Sequence, residues 1–483
     1  MTLPDRVDVC VVGAGPAGLT VARELVGTSL TVLLLESGPA DGGGPHQSLN
    51  EGEVKGGRYA GLVATRGRHL GGSAKLWNTA VGGAIGAKYL PLEPIDLGRP
   101  GREAEAWPLD YDELLGHYQR AQRLCGLGPP SYEAGAWATP TTRPLVLAGH
   151  PLESAVYQLG PATQFREAIP ALLSEPNNVT LALERTVCAL EIEPGGRRVT
   201  RVRGFDWAGT PFSVEAGAVV LAAGAIENAR LLLAAAGAPG DAPGNRSGWL
   251  GRGFMEHPRD RSIRLRPRDP GAARALAFYR RHRAVDGTIV QGRLRPAADW
   301  LAAEDLPNAS LMLGPVRGRR AGIGRLFRGP PPDLLVGILH LEQRPRAENR
   351  LRLGERRDRF GVPRPVLEWL WGPDERESLR RIRRMVMDAL GESGAFGVDL
   401  APCPLDPNAH HHAGTTRFHR DPRLAVADPD GRVHGTDNLF ATGASLFPSA
   451  GVANPTLTIV ALAIRLAAHL RDRLGATGAP PDL

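Results

Sequence analysis

Lysine is nearly missing from this chain. Of 58 basic residues it supplies only Lys55, Lys75 and Lys88, and arginine provides the rest. Set against 51 acidic residues the formal charge is +7, but the charge is not gathered into the continuous basic face that phosphate binding requires. No nucleic-acid partner is therefore expected. Cysteine is scarce as well: Cys10, Cys125, Cys188 and Cys403 are scattered without a CxxC pair. That spacing excludes a zinc ribbon and a disulfide framework, and it fits a reducing cytoplasm. Long apolar runs are lacking too. The longest, TIVALAIRLAAHLRDRL, is interrupted by Arg465 and turns amphipathic, so it reads as a docked helix and no membrane span is expected. The opening residues MTLPDRVDVCVVGAG show no secretory pattern, which points to a cytoplasmic location.

Hydrophobic residues at 42% and charged residues at 23% exclude wholesale disorder, and 483 residues suffice for one large or two to three ordinary domains. What the chain has in excess is glycine, 60 residues, against roughly 7% in an average chain. Without a collagen-like period, that excess predicts tight turns and close approaches of backbone to a ligand. Two arginine patches stand out. Arg380, Arg381, Arg383 and Arg384 alternate with Leu379, Ile382, Met385 and Met387, which predicts the solvated face of a helix. Arg317, Arg319, Arg320, Arg325 and Arg328 lie in a Gly- and Pro-rich stretch that reads as a lid or an anionic-substrate contact.

The first informative unit is VDVCVVGAGPAGLTVARELVGTSLTVLLLESG. Val7 to Val12 is a short β-branched run of the kind a buried parallel strand requires. Gly13, Gly15 and Gly18 follow as G-x-G-x-x-G: the first permits the turn, the second lets a pyrophosphate approach, the third lets the helix from Ala17 to Val26 pack on the sheet. The helix N-terminus then offers free N–H groups to the phosphates. Glu36, at the end of the next strand, is placed to bond a ribose hydroxyl. NAD and FAD share this pattern. FSVEAGAVVLAAGAIENARLLLAA repeats strand, turn and helix, and DNLFATGASLFPSAGVANPTLTIVALAIRLAAHL supplies a third stretch near the C-terminus. A site built from both ends of a chain implies a discontinuous domain with another inserted between its parts.

In order, GAGPAG with ESG, RHLGGSAKLW, WPLDYDELLGHYQRAQRLCGL, VVLAAGAIENARLLL, GRGFMEHP, HHHAGTTRF and LFATGASLFPSAGVANPTLTIVALAIRLA resemble the glucose–methanol–choline (GMC) oxidoreductase family, from about residue 6 to about residue 471. Within it the likeness is to the bacterial branch of pyranose 2-oxidase-like sugar and glycoside oxidoreductases. The resemblance implies an α/β fold with a discontinuous, Rossmann-like FAD-binding domain, residues 1–258 and 405–483. It also implies an α+β substrate-binding domain, residues 259–404, on an antiparallel sheet. PNASLMLGPVRG and DLLVGILHLEQRP read as strands of that sheet, and EGEVKGGRYAGLVATRG as a covering loop near the cofactor.

By the same resemblance His411, first of an H-x-x-G-T element, is the catalytic base, and Asn454 is its partner. The reaction implied is oxidation of CH–OH to a carbonyl with hydride to the flavin N5, on a sugar, glycoside or polyol. The partners implied are a small alcohol and an acceptor that is oxygen or quinone-like. The cofactor residues implied are Gly13, Gly15, Pro16, Ala17, Gly18, Glu36, Ser37, Gly71, Gly72, Ser73, Trp77, Val187, Ala223, Gly224, Gly443, Ala444, Asn454, Pro455 and Thr456, with Val187 at the adenine. Leu76 stands where some relatives carry a flavin-linking histidine, so FAD is expected to be noncovalent. Gly443 replaces an aspartate common in the family, so its contact is expected to be backbone N–H. Asn454 before Pro455 also reads as a helix cap. The triplet His410, His411 and His412 is not read as a metal site, because consecutive side chains rarely converge on one ion. A hydroxynitrile lyase-like enzyme and a noncatalytic flavin-binding protein are the alternatives.

Overall fold

Strand Arg6–Val12 lies inside a seven-stranded sheet. Val32–Leu35 pairs with it in parallel on one side and Pro211–Leu221 on the other. Val179–Ala182 and Leu439–Ala441 extend the parallel set outward, and Val199–Asp206 and Arg185–Ile192 add antiparallel strands. The central strands are apolar on both faces because helices cover them. Helix Pro16–Leu25 follows the glycine turn, and the C-terminal helix Thr456–Arg473 packs against it. That helix buries Leu457, Val460, Leu462, Ile464, Leu466 and Leu470 while Arg465 reaches Glu113 and Asp430. It is docked, as its pattern predicts. No helix among the described residues is long and apolar enough to cross a membrane.

The computed structural model describes residues 2–147, 149–236, 241–315, 334–407, 409–452 and 454–481. The stretch Arg317 to Arg328 therefore lies outside the described residues. A nine-stranded sheet forms the second layer, in the order Phe396–Leu400, Arg259–Pro267, Leu335–Leu341, Ala309–Pro315, Ile289–Pro296, Leu152–Pro161, Ala84–Tyr89 and Thr79–Val81, with Arg281–Arg283 beside Ile289–Pro296. The two runs read as strands of a substrate sheet are neighbours in it, Ala309–Pro315 against Leu335–Leu341.

The boundary expected at residue 258 does not separate the sheets. Thr79–Val81, Ala84–Tyr89 and Leu152–Pro161 come from the N-terminal segment yet belong to the antiparallel sheet. Leu152–Pro161 pairs along its length with Ile289–Pro296, a hydrogen-bonding demand that chain order does not reveal. Of the expected covering loop, Glu53–Gly56 is instead a strand parallel to Pro363–Trp369, in a small third sheet with Arg350–Arg357, while Ala64, Thr65, Arg66 and Gly67 border the cavity between the large sheets. Helix Pro373–Glu392 buries Ile382, Val386 and Leu390. Its arginines point outward to Glu377 and Glu304, and Arg383 reaches Asp260 at 3.5 Å.

Candidate active site

A cavity of about 750 Å³ opens between the two large sheets. Val12 and Gly13, Leu35 and Glu36, Ala222 and Ala223, and Thr442 and Gly443 all line it, so it sits at the C-terminal ends of the parallel strands. That edge is where open α/β sheets bind ligands. Local geometry there depends on glycine. Gly13 has φ +103, and a Cβ on it would come 2.8 Å from the Ala223 Cα. A Cβ on Gly72 would lie 2.9 Å from the Gly15 Cα, so these two backbone turns approach as closely as they can.

Of the residues implied for the cofactor, Gly13, Gly15, Pro16, Ala17, Glu36, Ser37, Gly72, Ser73, Trp77, Val187, Ala223, Gly224, Gly443, Ala444, Asn454, Pro455 and Thr456 line the cavity. Gly18 and Gly71 do not. A Cβ on Gly18 would run into the Gly13 carbonyl, so its role is helix-to-turn packing; Gly71 donates its N–H to the Ala14 carbonyl at 2.9 Å and turns the chain. The Glu36 carboxylate accepts from the Ala14 N–H at 2.9 Å and the Gly38 N–H at 2.8 Å. The cradle is long, glycine-walled and bordered by a helix N-terminus, which fits a dinucleotide.

Two polar networks hold this end. Buried Asn228 accepts from the Ala223 N–H at 2.9 Å and donates to the Leu221 and Thr442 carbonyls and to Ser445 Oγ. It ties two cavity turns together. Glu227 bonds Arg66, Arg68 and Arg230, at 2.5, 3.2 and 3.1 Å. Burial alone would raise its carboxyl, but the three guanidinium groups hold it well below the usual range.

His411 lies at the other end. Its Nε2 is 3.1 Å from Asn454 Nδ2, and its Nδ1 is 3.0 Å from Nδ1 of His257. The His257 Nε2 lies 2.6 Å from the Gly451 carbonyl oxygen. A carbonyl can only accept, so His257 Nε2 carries hydrogen. Burial pushes both imidazoles below their usual range, with the neighbouring basic groups adding to the effect on His411. Neutral His257 then has a bare Nδ1, which accepts from the His411 Nδ1–H. The assignment leaves His411 Nε2 with its lone pair. Asn454 thus spends its side chain on His411, and the C-terminal helix has no side-chain cap. The capping reading of Asn454 is corrected accordingly.

The other histidines of the triplet diverge: His412 Nε2 lies 3.5 Å from Glu256, and His410 takes a positive φ of 62°. Glu256 accepts from Tyr59 Oη at 2.6 Å and from the His257 and His411 N–H groups at 3.2 and 3.1 Å. Burial raises it to about 7. His257, Glu256 and Asn228 are residues that sequence reading leaves without a role, although GRGFMEHP and AIENAR contain them. Nothing local pairs position 257 with 411.

Residues 345–463 match the family model described as GMC oxidoreductase. The C-terminal part of the chain is thus similar to that family. Paromamine 6'-oxidase of Streptomyces fradiae is 29% identical over 96% of this chain and 91% of its own length. C-glycoside 3-oxidase of Microbacterium trichothecenolyticum is 27% identical over 98% of both. Among solved structures, pyridoxine 4-oxidase from Mesorbium loti shares the fold, with a TM-score of 0.59 and 18% identity over 96% of this chain and 98% of that one. The α/β and antiparallel layers of this chain are the fold of that solved structure.

Proposed function

We propose that this chain is a GMC oxidoreductase that oxidises a CH–OH group of a sugar, glycoside or related polyol, with His411 as the base. FAD is its cofactor. Gly13, Gly15, Pro16 and Ala17 would hold the pyrophosphate, Glu36 and Ser37 the ribose, Val187 the adenine, and Ser73, Trp77, Gly443, Ala444 and Thr456 the flavin end. FAD held there would supply the acceptor for the hydride of the substrate carbon.

The observation that carries the reading is the relay from the Gly451 carbonyl through His257 to His411, ending on Asn454 beside the cavity. It presents a neutral imidazole whose lone pair points toward Asn454. A substrate hydroxyl lodged there would displace the Asn454–His411 hydrogen bond, giving its proton to His411 Nε2 while its oxygen accepts from the Asn454 amide. Losing that proton as the C–H bond breaks avoids positive charge on carbon. The N-terminus of helix Thr456–Arg473 borders the same space and favours negative charge in it.

Two relatives with sugar-like substrates in their names support the substrate class. Both are named oxidases, which supports oxygen as acceptor; the lyase and noncatalytic readings are not favoured. Leu76 beside Trp77 supports noncovalent FAD, and four unpaired cysteines accord with a cytoplasmic setting. Anaerobic mixing of the purified holoprotein with sugars, glycosides and simple alcohols tests the function. Bleaching by sugars or glycosides, reversed on admission of air, is expected; bleaching by none of the CH–OH compounds defeats it. Acid precipitation tests the linkage: yellow supernatant is expected, yellow pellet contradicts it.

A further inference from the structure

Lys88 is one of three lysines in a chain that otherwise uses arginine, and it lines the cavity beside His340, His411 and Asn454. It projects from strand Ala84–Tyr89 of the antiparallel sheet. Its Nζ lies 2.8 Å from Met312 Sδ and 5.0 Å from the centre of the Tyr157 ring. No carboxylate of the described residues lies within ion-pairing distance. Neighbouring Arg259 is matched by Asp406 at 2.7 Å. His340, from strand Leu335–Leu341, borders the same space with its buried Nδ1 unbonded among the described residues. The acids that line the cavity, Glu36 and Glu227, sit at the dinucleotide end.

An ammonium enclosed by a thioether, an aromatic ring and other cations is poorly compensated. A bound substrate would remove still more water from it. A neutral sugar would leave the charge unanswered, an amino sugar would be repelled, and an anionic group would complete it. Resting on the CH–OH reading, we propose that the substrate is a sugar or polyol bearing an anionic substituent, which Lys88 binds with His340 alongside.

Burial, reinforced by Arg259, Arg281 and Arg261, lowers Lys88 to about 8. The other groups facing it are Met312, Tyr157, His340 and His411. Affinity for the anion is therefore full below that pH and falls as pH rises through it, because the ammonium is lost.

The experiment compares methyl glucuronoside, methyl glucoside, methyl glucosaminide and glucose 6-phosphate as donors to the holoenzyme, with melting temperature as a second readout. Expected is a KM for an anionic donor about tenfold to hundredfold below that of the uncharged one, the size of a charged hydrogen bond. Whether uronate or phosphate is tighter identifies the anion. Lys88→Met should abolish the preference and Lys88→Arg largely retain it; Lys88→Gln serves if the methionine variant fails to fold. Equal KM for charged and neutral donors overturns the proposal. So does an equal change for every donor in Lys88→Met, which would place the lysine's action on the flavin. If no donor bleaches the flavin, the CH–OH reading fails, and the anion claim is decided separately by whether uronate or phosphate raises the melting temperature of the parent but not of Lys88→Met.

Discussion

His257 sets which nitrogen of His411 is bare, and the proposed base depends on that choice. Replacing it by leucine removes the acceptor for the His411 Nδ1–H, and flavin reduction should slow about 10²-fold with little change in KM. His257→Asn keeps an oxygen near the place of Nδ1 and should restore most of the rate; loss of affinity in both variants, or no rescue by asparagine, would mean a packing role. Because His411 is held below the ordinary imidazole value, the rate of flavin reduction should stay level from pH 8 down through 6.5 and fall only below it. A protonation that halves the rate at pH 7 contradicts the assignment. Glu256 has the opposite linkage. Raised from 4.5 to about 7, it keeps in the folded state a proton that the unfolded chain has released, so stability falls as pH rises from 4.5 to 7. Glu256→Gln should remove that fall, worth up to about 3 kcal/mol, in urea unfolding at pH 5 and 7.5. At this scale His411 and Asn454 were legible through the H-x-x-G-T and ANPTLT elements. His257 was not, since its partner lies 154 residues away.

Among elements, the turns at the ends of the parallel strands matter most, because the cofactor cradle is made of them. Asn228 joins the turn at Ala223 to the one at Thr442 and Ser445. Asn228→Ala would leave the Ala223 N–H without its acceptor, and should cost about 1 to 3 kcal/mol with weaker FAD binding. Chemical denaturation and FAD titration check it; unchanged FAD affinity would show that the staple serves stability alone. Strand Arg6–Val12, the glycine turn and helix Pro16–Leu25 were legible because strand period, turn glycines and helix period are local signals. The expected helix, Ala17 to Val26, is displaced by one residue. The partner of Leu152–Pro161 was not legible: its antiparallel match with Ile289–Pro296 is decided by packing between distant segments.

The whole molecule encloses its cavity between two sheets, so cofactor and fold stabilise each other. FAD that binds only the native state should stabilise the protein by about 2.7 kcal/mol at one hundred times its Kd; a melting temperature independent of added FAD in deflavinated protein would count against a site shared by both layers. The formal charge of +7 says less at this scale than one lysine does at the cavity. Arginines such as Arg66, Arg230, Arg350 and Arg344 are absorbed by Glu227, Asp358, Glu368 and Asp305. The most direct measurement is the single-turnover bleaching of bound FAD by a sugar or glycoside donor, mixed anaerobically with the parent enzyme and with His411→Ala. The mechanism requires the parent to bleach and the variant, still carrying FAD, to bleach about 10² to 10⁴ times more slowly. Bleaching of the variant at the parent rate would contradict it.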